Sequence, residues 1–170
     1  MLPRLTLVLG GARSGKSRHA EALVTATPGP WRYVATAEAL DAEMAERIEA
    51  HQARRGSGWE THEAPLALDA VLSRLGGDPA PILVDCLTLW LANLMLGEHN
   101  VELAQERLVA AIEAARAPLV LVANEVGLGI VPENALARRF RDEAGRLNQR
   151  LAVRADRVLF MVAGFPMQVK

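Results

Sequence analysis

One cysteine, Cys86, is all the thiol this 170-residue chain holds. An internal disulfide is therefore excluded, and the usage fits a reducing cytosol. Net charge is scarce too: 19 Lys+Arg against 20 Asp+Glu leave −1, so no basic surface advertises nucleic acid as a partner. No apolar run approaches the ~18 residues a membrane span needs. The first residues lead straight into an apolar strand, which leaves no room for a signal peptide. There is no internal repeat and no low-complexity tract beyond alanine-rich helical stretches. With 51% hydrophobic and 23% charged residues, the expectation is one cytoplasmic globular domain over residues 1–170, long enough for a proper core.

What is present begins at Gly10-Gly11-Ala12-Arg13-Ser14-Gly15-Lys16-Ser17. Leu5 to Leu9, before it, reads as a buried strand, and Ser17 to Val24, after it, as a helix. The stretch fits G-x-x-x-x-G-K-[ST] at every fixed position and in the required strand–loop–helix context. Glycines let successive N–H groups approach phosphate oxygens, and the new helix adds its positive end. Lys16 can then reach the β- and γ-phosphates, and the Ser17 hydroxyl can take one position on Mg²⁺. The chain is expected to bind a nucleoside triphosphate.

Further along, the chain alternates strands and helical segments. Trp31 to Thr36 is the second strand, and at its carboxyl end Ala35, Thr36 and Ala37 either line the nucleotide site or form an ordinary strand end. Glu38 to Gln52 reads as a helix with Leu40, Met44 and Ile48 on one face. His51 continues that face; it is either a packed histidine or a catalytic one. Arg54 and Arg55 favour chemistry, since they can carry phosphate charge and keep the imidazole neutral. Trp59 to Glu63 is a short strand whose final Glu63 is either a nucleotide contact or a carboxylate at a helix N-terminus. Ala64-Pro65 opens the helix after it.

Pro81 to Asp85 has the form of a Walker-B strand, with Asp85 on Mg²⁺ directly or through water. Asn100 caps a helix through Arg116, Leu119 to Ala123 is a buried strand, and Asn124 to Pro132 is a loop at the carboxyl edge. Glu133 to Arg154 is a basic helix with Arg138, Arg139, Arg141, Arg146 and Arg150, most of them expected as solvated charges paired with Asp142 and Glu143 and one or two within reach of a phosphate. Arg157 to Ala163 is the last long strand, and Gly164-Phe165-Pro166 turns the terminal segment back as an edge strand. Together these predict an α/β fold of the P-loop NTPase (RecA-like) kind, about six parallel strands flanked by helices, with candidate site residues at one sheet edge.

Several separated stretches resemble one family, the bifunctional adenosylcobinamide kinase / adenosylcobinamide-phosphate guanylyltransferases of cobalamin biosynthesis. They are Gly10 to Arg18, Arg47-Ile48-x-x-His51-Gln52-x-Arg54-Arg55 and Trp59-x-Thr61-x-Glu63, followed by Asn124-Glu125-Val126-Gly127-x-Gly129-Ile130-Val131-Pro132 and Phe140-Arg141-Asp142-x-x-Gly145-x-x-Asn148-Gln149. The resemblance implies phosphorylation of adenosylcobinamide with ATP or GTP. It then implies transfer of GMP from GTP to adenosylcobinamide phosphate. It places the covalent GMP carrier at His51, where some members have two adjacent histidines and this chain has Ala50 before the one. It implies nucleotide contacts at Ala35-Thr36-Ala37, at Gln52, Ala53, Arg54 and Arg55, at Glu63 and at Asp85, and a homo-oligomer, a trimer in the family pattern. The rival expectation is a P-loop kinase for another small molecule, with no covalent GMP intermediate. A GTP-binding switch is disfavoured, because Asn124-Glu125-Val126-Gly127 stands where such proteins carry Asn-Lys-x-Asp.

Overall fold

A computed structural model describes residues 1–38, 46 and 56–170. Six strands run parallel: β1 (Leu5–Gly10), β2 (Trp31–Ala35), β3 (Trp59–Glu63), β4 (Ile82–Asp85), β5 (Leu119–Asn124) and β6 (Arg157–Val162). A seventh, β7 (Phe165–Gln168), pairs antiparallel with β6. Their spatial order is β3-β2-β4-β5-β1-β6-β7. The described helices are α1 (Lys16–Thr25), α2 (Leu68–Leu75), α3 (Leu87–Leu96), α4 (Val101–Ala114) and α5 (Ala135–Arg154). The expected parallel α/β architecture with an antiparallel edge is what forms. The helix expected over Glu38 to Gln52 lies almost wholly outside the described residues.

Period-two alternation sends each strand's side chains to both faces. In the inner strands β1, β4 and β5 both faces are buried, so these read as continuous apolar runs, whereas the edge strands β3 and β7 are largely exposed. Leu5, Leu7, Ile82, Val84, Leu119 and Leu121 pack on one side against Leu68 and Leu72 of α2, Trp90 and Leu91 of α3, Leu108 and Ile112 of α4, and Leu147 and Leu151 of α5. Val8, Leu83, Val120 and Val122 pack on the other side with Ala20 and Val24 of α1. Trp90 is the largest fully buried side chain, and its indole N–H donates to the Leu66 carbonyl at 2.9 Å. A buried indole needs such a partner.

Element ends follow local hydrogen bonding. The helix expected from Ala64-Pro65 starts instead at Leu68. Ala64 N–H extends the strand pairing to the Ala35 carbonyl at 2.7 Å, and the Pro65 and Leu66 carbonyls accept from Asn93 and Trp90 of α3. Groups already committed to neighbouring elements cannot begin a helix. Asn100 caps α4 as expected, its side chain accepting from Leu103 N–H. That helix ends at Ala114 rather than Arg116, whose N–H and that of Ala117 both turn to the Gly76 carbonyl. Asn134 caps α5 through Leu136 and Ala137 N–H, which moves its start past Glu133. Ala163 and Gly164 take positive φ values of 49° and 87°, the geometry of a tight two-residue hairpin, so β7 begins at Phe165.

Candidate active site

The parallel sheet brings Gly10, Ala35, Glu63, Asp85 and Asn124 to one carboxyl edge, because all five end parallel strands. Ligand sites in open parallel sheets lie at that edge. β5 is inserted between β1 and β4, so Asp85 is one strand removed from the phosphate loop. Helix α1 bridges the gap by packing on β5 and β4.

Residues 10–17 leave β1, turn, and enter α1 at Lys16. Gly10 is required at its position: a Cβ there would stand 2.7 Å from Ser14 Oγ and 2.8 Å from the Met161 carbonyl. Backbone bonds hold the loop from both sides. Glu125 N–H donates to the Gly10 carbonyl at 3.0 Å, and Gly164 N–H to the Ser14 carbonyl at 3.1 Å. Ser14 Oγ is buried with no partner among the described residues. Ala12 and Arg13 are exposed, and Ser17 is half-buried in the first turn of α1.

Lys16 is 7% exposed, rare for a lysine. Its ammonium donates to the Gly11 carbonyl at 2.6 Å. Burial lowers its pKa from the ordinary value, and the nearby Cys86 and Asp85 oppose that shift. The cation is therefore held in the same low-dielectric space as the Asp85 carboxylate.

Asp85 ends β4 half-buried, and the Tyr33 hydroxyl donates to its Oδ2 at 3.2 Å. Thr36 is fully buried and grips the next residue twice. Its hydroxyl donates to the Cys86 carbonyl at 2.6 Å and accepts from Cys86 N–H at 2.9 Å. Thr36 therefore fixes the turn that carries Asp85, and its own side chain is occupied in doing so. Thr36→Val keeps the volume and orphans a buried N–H, so it should lower stability by about 1–3 kcal/mol, read as a shifted urea midpoint. Burial first, then the Asp85 carboxylate, pushes the Cys86 thiol up to about 11. Native protein at about pH 8 should therefore leave Cys86 unmodified by dithionitrobenzoate, while urea-unfolded protein reacts at once.

Ala37 follows Thr36 out of β2, and Glu63 ends β3 exposed, in register with Ala35. His51, Gln52, Ala53, Arg54 and Arg55 lie outside the described residues. Of the basic residues of α5, Arg141 pairs with Asp142 and Arg146 with Glu143 as expected, while Arg138 donates to the Pro132 and Glu133 carbonyls and Arg154 pairs with Glu113 of α4.

Four positioning groups escaped the sequence reading. Tyr33 orients Asp85. Asn93 donates to the Thr36 carbonyl at 2.9 Å from within α3, and its only local signal is an amide in a helix whose sole other polar side chain is Thr88. Thr88 accepts from Asn124 N–H at 2.7 Å, and Asn148 of α5 donates to the Asn124 carbonyl at 3.3 Å. Two of the separated family-like stretches thus meet where β5 leaves the sheet.

Residues 6–169 match the family described as cobinamide kinase / cobinamide phosphate guanyltransferase. The bifunctional adenosylcobalamin biosynthesis protein CobP of Pseudomonas aeruginosa is 49% identical, the similarity covering 96% of each chain. The corresponding CobU of Salmonella typhimurium is 47% identical over 98% of this chain and 99% of its own. Among solved structures, a Pyrococcus horikoshii OT3 protein superposes with a TM-score of 0.57 at 10% identity, over 99% of this chain and 87% of that one. A prototypical ATPase from a bacterial type III secretion system gives 0.58 at 9% identity, over 95% of this chain and 51% of that one. These two share the fold. The near full-length family match and the two relatives decide the rest: this chain belongs to the cobinamide kinase / cobinamide phosphate guanyltransferase family.

Proposed function

We propose that residues 1–170 form one nucleotide-binding domain that phosphorylates adenosylcobinamide with ATP or GTP, then transfers GMP from GTP to adenosylcobinamide phosphate, releasing adenosyl-GDP-cobinamide and pyrophosphate. The observation that carries this is the buried Lys16 within the phosphate loop, facing Asp85 across one sheet edge, in a chain matched to the family over residues 6–169. A P-loop kinase of another small molecule accounts for Lys16, Ser17 and Asp85 but leaves that match unexplained.

In the kinase step the loop N–H groups and Lys16 hold the triphosphate, and the acceptor hydroxyl attacks the γ-phosphorus as the β–γ bridge breaks. In the transfer step a neutral His51 nitrogen attacks the α-phosphorus of GTP, a P–N bond forms, and pyrophosphate leaves. An oxygen of the corrinoid phosphate then attacks the same phosphorus and the P–N bond breaks. Lys16 stabilises negative charge on the departing group in both steps. Ala35, Thr36 and Ala37 stand at the carboxyl end of β2, with β4 and β5 between them and the phosphate loop, and are assigned to the nucleotide on the family pattern. Gln52, Ala53, Arg54, Arg55 and Glu63 are assigned to the nucleotide on the family pattern.

Mg²⁺ fits the donor set: a hydroxyl at Ser17 and a carboxylate at Asp85, one of whose oxygens the Tyr33 hydroxyl already orients. Such hard oxygen ligands, few in number, suit an ion that keeps waters and binds through substrate phosphates. When bound, the ion would neutralise charge on the phosphates. The reading includes a homo-oligomer, trimeric in the family pattern. No helix among the described residues is long and apolar enough to cross a membrane.

The test is incubation of purified protein with adenosylcobinamide, Mg²⁺ and GTP, with and without added ATP, and with the corrinoid followed by mass spectrometry. Sequential appearance of the phosphate and the GDP adduct is expected. A protein that hydrolyses or binds nucleotide yet leaves adenosylcobinamide unchanged would sink the proposal.

A further inference from the structure

The main chain of Asn124, the last residue of β5, is held from three sides. Its N–H donates to the Thr88 hydroxyl of α3 at 2.7 Å, and its carbonyl accepts from Asn148 of α5 at 3.3 Å. The following N–H, of Glu125, donates to the Gly10 carbonyl of β1 at 3.0 Å. The Asn124 side-chain amide, by contrast, is half-buried and makes no hydrogen bond among the described residues. A backbone anchored this firmly under an unengaged polar group is how rigid elements present a functional side chain.

Strand periodicity shows which way that amide faces. Val120 and Val122 of β5 pack with Ala20 and Val24 of α1, while Leu119 and Leu121 pack on the opposite side. Asn124, two residues beyond Val122, falls on the α1 face. Asp85, two residues beyond Leu83, falls on it as well. Gly10 is in register with Asn124 and two residues beyond Val8, and a Cβ on it would meet Ser14 Oγ at 2.7 Å. The phosphate loop therefore occupies that face of β1, directly beside Asn124. On the other side Asp85 is in register with Val122, which puts its Cα about 8 Å from that of Asn124 at ordinary strand spacing and rise. The amide thus stands between the loop and the carboxylate, on the face that α1 covers from Lys16 onward.

We infer that the Asn124 side-chain N–H donates to the terminal phosphate of the bound triphosphate, which makes Asn124 a further catalytic residue of the kinase step. This rests on the function proposed above. A triphosphate whose β-phosphate sits in the loop and whose γ-phosphate is directed toward Asp85 passes over the end of β5. As the acceptor oxygen bonds to the γ-phosphorus and the β–γ bridge breaks, charge spreads over the transferred phosphoryl oxygens, and a fixed donor stabilises it. A neutral amide does so without adding charge beside Asp85. In guanylyl transfer the α–β bridge breaks, one phosphate away, so the same contact contributes little. The rival reading is an amide that only shapes the exit from β5.

The experiment compares wild type with Asn124→Ala and with Asn124→Leu, which keeps the shape and removes the donor. Both retain the main-chain bonds, so urea midpoints should stay near the wild-type value. Titration calorimetry with Mg²⁺ and no corrinoid uses the α,β-methylene analogues of GTP and of GDP, neither cleavable at the α–β bridge. The triphosphate analogue should bind each variant about tenfold more weakly or worse, the loss of one hydrogen bond to a charged group. The diphosphate analogue should stay within about twofold of wild type. The kinase kcat should fall about a hundredfold, while guanylyl transfer to adenosylcobinamide phosphate stays within about threefold. Equal losses for the two analogues or the two activities, a midpoint lowered sharply in both variants, or folded variants that match wild type would each overturn the inference. If wild type separates the analogues through Asn124 yet leaves adenosylcobinamide unphosphorylated, the contact stands and the functional reading falls.

Discussion

Lys16→Met should lower both the kinase and the guanylyl-transfer rates by about a thousandfold, with the fold intact. Both reactions break a bridge in the same triphosphate, and both place growing negative charge where Lys16 and the loop N–H groups converge. Removing one preorganised donor from such a site lowers kcat by about 10²–10³, and a full cation in a phosphoryl-transfer site is worth more. Methionine keeps the chain length and volume, so the packing around α1 survives. Burial lowers the Lys16 pKa, meaning that folding disfavours its charged form. Stability of the wild type should therefore rise with pH from the folded pKa up to the ordinary value of 10.5, where the unfolded chain still holds the proton. Lys16→Met should lack that slope. Urea denaturation at stepped alkaline pH, beside steady-state assays of each half-reaction, checks both parts. A variant that keeps one activity would show that the two reactions do not share the phosphate cradle.

His51→Ala should separate the two reactions that Lys16→Met removes together. The kinase step needs only the held triphosphate and the acceptor hydroxyl, so its rate should stay within a few-fold of wild type. On the proposed covalent route guanylyl transfer runs through the imidazole, so it should fall by about 10⁴ or more, in line with the loss of a covalent nucleophile. Adenosylcobinamide phosphate should accumulate and the GDP adduct should not. If the adduct forms at an undiminished rate, direct attack of the corrinoid phosphate on GTP replaces the covalent route.

The sequence made the phosphate loop legible because every feature it needs is local: Gly10, Gly15, Lys16 and Ser17 at fixed spacing between an apolar run and a helix former. Asp85 was legible for a similar reason, as the first charge after Ile82-Leu83-Val84. Strand order was not, since β5 enters between β1 and β4 from residues more than thirty positions away along the chain. The supporting contacts were equally hidden. Tyr33 reaches Asp85 across 52 positions, Asn93 reaches Thr36 across 57 and Asn148 reaches Asn124 across 24. Each is an ordinary residue of its element until the sheet closes. The shifted start of α2 has the same origin: Ala64-Pro65 carries helix-opening chemistry, and α3 claims the Pro65 and Leu66 carbonyls first. For His51 the residues alone left a packed or a catalytic histidine, with Arg54 and Arg55 favouring chemistry, and the covalent role came from the resemblance; the block lies outside the described residues.

The covalent step is the part of the account most open to direct measurement. Purified protein with Mg²⁺ and GTP labelled at the α-phosphate, then denatured and separated by electrophoresis, should retain label on the polypeptide. The bond should be acid-labile and base-stable, as expected of phosphorus on an imidazole nitrogen. Label should be absent from His51→Ala and absent when the γ-phosphate carries it instead. A protein that forms the GDP adduct without ever taking the α-label, or a His51→Ala variant that takes it fully, would contradict the account.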